Sequence, residues 1–79
     1  MQRIELEYCE ASGFEPRARR VVQAVHEALG KRVTLVAGRP AVFALRVDGR
    51  TVARKDRDRG FPTEAECVAG VRAALKTGR

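Results

Sequence analysis

The stretch Arg3-Ile4-Glu5-Leu6-Glu7-Tyr8-Cys9-Glu10-Ala11-Ser12-Gly13-Phe14-Glu15-Pro16-Arg17 holds the decision about the fold. Its first half alternates. Ile4, Leu6 and Tyr8 fall on one side, Arg3, Glu5 and Glu7 on the other, which is the pattern of a strand with one buried face. Residues 9–14 carry Gly13 and read as a loop. From Glu15 to Leu29 the period changes to three and four. Ala18, Val21, Val22, Val25, Ala28 and Leu29 make one face, and Arg17, Arg19, Arg20, Gln23 and Glu27 the other. That is an amphipathic helix. Gly30 stands where a C-terminal cap belongs, and Pro16 fits a first helical turn, where a missing N–H costs little.

Downstream, Val33 to Ala37 read as a second strand and Val42 to Val47 as a third, separated by Gly38-Arg39-Pro40. A strand joined to the next strand through a helix predicts a parallel pair with a right-handed crossover. Asp48-Gly49 is a two-residue hairpin signal, leading into a fourth strand at 50–54. Lys55 to Gly60 form a charged loop. Thr63 and Glu66 have the spacing of a capping box, so a last helix starts there, with Val68, Val71, Ala74 and Leu75 as its apolar stripe. The order is βαβββα. Alternation in strands one and three means that only one face of the sheet is covered, so both helices belong on that face. The fold class is α+β, with a four-stranded mixed sheet, in one domain spanning 1–79.

Composition narrows the function. With 44% apolar and 33% charged residues the chain is globular rather than disordered. Its apolar runs are too short to span a membrane, and the N-terminus has no apolar signal region, so a cytoplasmic location is expected. The charge is +6, carried mostly by arginine. Acidic residues are interleaved throughout, and no basic stripe with interspersed aromatics exists, so a nucleic-acid partner is not favoured. Cys9, His26 and Cys67 lack metal-ligand spacing, so no metal is expected.

Cys9 ends a strand and precedes a helix. Ligand chemistry in open α/β sheets gathers at the carboxyl ends of parallel strands, and a helix N-terminus offers free N–H groups and partial positive charge. Both favour the thiolate, the nucleophilic form. If the pleat continues, Tyr8 points to the other side of the strand. A cysteine is also a small hydrophobe, and on this geometry alone Cys9 reads equally well as core. Cys67, at the edge of the last helix's stripe, reads as core. His26 lies far along the first helix from Cys9 and is not expected to act as its base. Ser12 and Glu15 again have capping-box spacing, which predicts Ser12 as the helix cap.

The segment Tyr8-Cys9-Glu10-Ala11-Ser12-Gly13-Phe14-Glu15-Pro16-Arg17 resembles the signature of the SelT/SelW/SelH family, the selenoprotein W-like (Rdx) redox proteins. There a strand ends in Tyr-Cys-x-x-Cys or Tyr-Cys-x-x-selenocysteine, followed by Gly, an aromatic, any residue and Pro. Gly13, Phe14 and Pro16 occupy those places. Arg39 to Gly49 and Lys55…Gly60-Phe61-Pro62 resemble later segments of the family, so the likeness covers nearly the whole chain. The resemblance implies a thioredoxin-like fold, thiol redox chemistry at Cys9, and a thiol or disulfide partner, glutathione or a protein, with no bound cofactor. It also implies that Tyr8, Gly13, Phe14, Pro16 and Pro40 support the site. In thioredoxin-like folds a cis-proline commonly faces the cysteine loop from a place like that of Pro40. The departure is Ser12, at the family's second redox position. Cys9 and Ser12 cannot close a disulfide. Three readings follow: Cys9 acts as a single thiol resolved by an external thiol, Cys67 resolves it, or the chain is a redox-inactive binding or adaptor module on the same fold. The uncovered sheet face and free strand edges are compatible with a homodimer.

Overall fold

The computed structural model describes residues 2–77. Strand β1 (Ile4–Tyr8) leads through the loop into helix α1 (Glu15–Leu29) and then to β2 (Thr34–Ala37). Strands β3 (Phe43–Val47) and β4 (Arg50–Arg54) follow, then helix α2 (Glu64–Thr77). The sheet order is β2-β1-β3-β4, with β1 parallel to β2 and the other pairings antiparallel. This is the α+β, thioredoxin-like βαβββα arrangement that the periodicity and the resemblance predict.

Register explains the single covered face. Leu6 sits opposite both Leu35 and Leu45, and Tyr8 opposite Phe43. These residues, with Ile4 and Val47, meet Ala18, Val21 and Val25 of α1 and Cys67, Val71 and Ala74 of α2 in one core. The two helices also pack on each other, α1 over β1 and α2 over β3 and β4. Leu6, Leu45 and Phe43 are almost wholly buried; each such side chain contributes roughly 1.5–3 kcal/mol of burial. Glu5, Glu7 and Arg46 occupy the opposite, uncovered face.

The boundaries differ from expectation in small ways. Val33 is buried but precedes β2, and Val42 precedes β3. β2 reads as continuously apolar yet is an edge strand, and Val36 points to the open face with 38% of its surface exposed. Apolar residues on both faces of an edge strand cannot all be covered when helices lie on one side only. The Asp48-Gly49 turn has positive φ at both positions, 52° and 85°, as a type I′ hairpin demands. Gly30 caps α1 in the left-handed conformation, its N–H bonded to His26 O at 2.8 Å. The charged loop closes on itself through paired backbone bonds between Asp56 and Gly60, 2.8 and 2.7 Å.

Candidate functional site

β1 delivers Cys9 to the end of the sheet, where its N–H donates to Val42 O at 2.9 Å. Tyr8, one residue earlier, turns into the core. The chain then makes a short exposed loop closed by Gly13 N–H to Glu10 O, 3.0 Å. Gly13 takes φ +75° there, a conformation that a β-carbon disfavours. Phe14 anchors the far end of the loop. Its ring meets Phe43 and Phe61 edge to face, with centroids 6.3 and 4.9 Å away, and Phe43 and Phe61 meet at 5.2 Å. Arg17 lies over the Phe61 ring at 4.1 Å. Pro16 stands in the first turn of α1.

Ser12 is not the helix cap that its spacing predicts. Phe14 takes the N-cap position, with no side-chain cap bond. The Ser12 hydroxyl instead donates to Cys9 Sγ at 3.0 Å. Glu15, the other half of the expected box, binds Arg19 at 2.8 and 3.0 Å. Pro16 has no N–H to satisfy, which lessens the demand for a cap, and the loop carries Ser12 back over the sulfur.

Opposite Cys9 lies the turn 39–42, closed by Val42 N–H to Arg39 O at 3.2 Å. Pro40 stands at its second position and Ala41 at its third, with φ +63°. This is the form of a type II turn, with alanine where glycine is usual. No peptide bond among the described residues is cis, so Pro40 shapes the turn in its trans form. Two residues of this turn reach Cys9: Val42 accepts its N–H, and the Ala41 N–H faces its sulfur.

These contacts set the ionisation of Cys9. The Ser12 hydroxyl, above all, and then the Ala41 N–H hold the thiol below its ordinary range; the N–H groups of Ser12 and Ala11 add to this, and desolvation opposes it. The donors come from the loop and the facing turn rather than from the first turn of α1. Cys9 is nonetheless only 4% exposed.

Cys67 is its opposite. It lies in the core with no exposed surface. Burial, reinforced by the charges of Glu66 and Glu64, pushes its thiol up to about 11. A thiol so buried and so weakly acidic is a poor nucleophile, in keeping with the reading of Cys67 as core. His26 is exposed on α1. Among the described residues no group of His, Cys, Asp and Glu is placed to hold a metal ion.

Sequence reasoning missed two participants. Ala41 acts through its main chain, so its side chain carries no signal; Pro40 before it, as the second residue of a turn, is the available clue. Glu7 reads as one more solvent-facing strand residue. It receives Arg46 at 2.9 Å and Arg39 at 3.7 Å, and the Arg39 N–H at 3.3 Å. The Arg46 hydrogen bond, then the Arg39 amide, holds its carboxyl below the usual range.

Residues 3–73 match the model of the Rdx family. The chain belongs to that family. Migration and invasion enhancer 1 of Bos taurus is 33% identical over 73 residues, which are 91% of this chain and 64% of the bovine protein. The Rdx chain therefore spans just under two thirds of that relative. A Bordetella parapertussis protein of known crystal structure superposes with a TM-score of 0.84 at 28% identity, over 94% of this chain and 98% of the other. The selenoprotein W-related protein of Vibrio cholerae superposes with a TM-score of 0.82 at 19% identity, over 94% and 96%. The first match carries the family, and the last shows the shared fold. No described helix of this Rdx chain is long and apolar enough to cross a membrane.

Proposed function

We propose that this Rdx-family protein is a single-thiol redox protein in which Cys9 is the nucleophile. The observation that carries the reading is the cluster of donors on Cys9 Sγ, led by the Ser12 hydroxyl. The Cys9 thiolate attacks one sulfur of a disulfide R–S–S–R′. A Cys9–S–S–R bond forms, and R′S⁻ leaves and takes up a proton. An external thiolate, such as glutathione or a partner protein's cysteine, then attacks the R sulfur and releases the Cys9 thiolate. Cys67 is not in this cycle. Because Cys9 is almost covered, the exposed residues 10–13 must move aside for the disulfide to align with Sγ.

The test is alkylation of Cys9 across pH, with Cys67→Ala as background, followed by mass analysis after incubation with oxidised glutathione. The contacts on Sγ make the thiol more acidic than an ordinary one, so the alkylation midpoint lies below that of a free cysteine. A glutathione adduct on Cys9, lost in Cys9→Ala, is expected. A midpoint at or above that of a free thiol, with no adduct, would overturn the reading. The burial of Cys9 favours one alternative, a redox-inactive binding or adaptor module, and that outcome would support it.

A further inference from the structure

Glu7 differs from Glu5, its neighbour on the same open face. Glu5 has an ion pair with Arg3 at 3.8 Å. Glu7 is gripped from two sides and also accepts a main-chain N–H, that of Arg39. The backbone closes in around it. Gly38 donates to Tyr8 O at 2.9 Å, and a β-carbon at Gly38 would fall on the Glu7 side chain. Position 38 thus leaves room for this carboxylate and for no side chain of its own. Arg39 begins the turn whose third residue, Ala41, presents its N–H to Cys9 and whose fourth, Val42, accepts the Cys9 N–H. Glu7 therefore ties β1, two residues before Cys9, to the start of the turn that holds Cys9 from the other side.

We propose that Glu7 is a positioning residue: its carboxylate, fixed by Arg46 and Arg39, clamps the 38–42 turn so that the Ala41 N–H and the Val42 carbonyl stay on Cys9. The turn needs such a clamp because Ala41 holds a left-handed φ of +63°, which an L-residue with a β-carbon leaves readily unless its surroundings fix it. The clamp rests on the reading of Cys9 as a reactive thiolate only for its purpose, not for its geometry.

The sign of the effect separates positioning from charge. Removing a nearby negative charge favours a thiolate and lowers a thiol pKa. Loosening the turn withdraws the Ala41 donor and raises it. In Glu7→Gln the amide keeps the shape and an acceptor for the Arg39 N–H but loses the charge that holds the two guanidinium groups. Gly38→Ala displaces the carboxylate while keeping its charge. The unsubstituted chain and both variants are compared by the pH midpoint of Cys9 alkylation and by hydrogen exchange at the Ala41 amide. The expected result in both is a midpoint moved upward, a thiolate fraction at pH 7 lower by about threefold or more, and faster exchange at Ala41. An unchanged or lowered midpoint with unchanged exchange overturns the clamp, and Gly38→Ala decides in the same way if Glu7→Gln does not fold. If exchange quickens in the variants while wild-type Cys9 titrates as a free thiol, the clamp stands and the redox reading falls.

Discussion

Two stretches of this chain carry the same three chemical parts and use them in opposite ways. The first is Cys9, Ser12 and Glu15; the second is Thr63, Glu66 and Cys67. Each has a hydroxyl, a glutamate three residues later and a nearby cysteine, before the helix in the first case and in its first turn in the second. At α2 the hydroxyl serves the helix. Thr63 Oγ1 accepts the Glu66 N–H at 3.0 Å and Glu66 Oε1 accepts the Thr63 N–H at 2.9 Å, a complete capping box. Cys67 is left to the core, as a protonated apolar group. At α1 the hydroxyl serves the sulfur, and the helix begins with no side-chain cap. That forgoes about 1 kcal/mol of capping. Phe14, pinned among Phe43 and Phe61, fixes the start of α1 by packing instead. The difference teaches that a hydroxyl can be committed to a helix or to a site, and that tertiary placement decides which.

The strongest way to break the contrast is to give the first region a second thiol. In Ser12→Cys a sulfur replaces an oxygen already 3.0 Å from Cys9 Sγ, so a shift of about 1 Å reaches the disulfide length. Treatment with oxidised glutathione should then yield an internal disulfide, with a mass two hydrogens lower and no lasting adduct. A protein that still ends as a stable glutathione adduct would show that the loop cannot close. The same substitution at Thr63 should give no disulfide with Cys67, because that sulfur lies in the core.

A second contrast lies in pH. The Cys67 thiol is held near 11 in the folded state and titrates at about 8.5 when unfolded. The unfolded chain therefore loses its proton first, and stability falls as pH rises between those values. The loss should reach on the order of 2–3 kcal/mol. Cys9 has the other sign. Its folded thiol is the more acidic, so its contribution is present above the unfolded value and is lost as pH falls through the folded one. Denaturant unfolding from pH 7 to 11, compared with Cys67→Ala, isolates the first effect. A wild type whose alkaline decline is no steeper than that of the variant would show that Cys67 is not held protonated.

Thr63→Ala is the complementary test. It should cost about 1 kcal/mol, a fall in Tm of roughly 4–8 °C for a domain of this size, and leave Cys9 alkylation unchanged. A change in Cys9 reactivity would mean that the two helix starts are coupled through the Phe14–Phe61 contact.

The sequence was most legible where local signals agreed with the tertiary answer. The alternation of Ile4, Leu6 and Tyr8, the Asp48-Gly49 turn and the Thr63–Glu66 box each point to one structure and find it. Cys9 was legible as a candidate from its place between strand and helix. What stayed hidden has physical reasons. Ser12 fits a capping box by spacing, and spacing does not record where the loop folds. Ala41 acts by its main chain, which any residue could supply. Glu7 looks like every other outward residue of an alternating strand, and only the approach of Arg39, Arg46 and Gly38 makes it different.

Ser12→Ala gives the smallest effect and the sharpest test of the comparison. If Ser12 were a cap, its loss would cost the same as that of Thr63, about 1 kcal/mol. Because its hydroxyl faces sulfur, stability at neutral pH should change by less than about 0.5 kcal/mol, as for a surface substitution. The effect should show in chemistry instead. The largest of the contacts that acidify Cys9 is gone, so the alkylation midpoint moves up and the rate at pH 7 falls several-fold. The remaining donors, the Ala41, Ser12 and Ala11 amides, are main-chain groups that the substitution leaves in place, so the midpoint should stop short of a free thiol's. A Tm loss equal to that of Thr63→Ala, with reactivity intact, would return Ser12 to the helix and erase the distinction between the two regions.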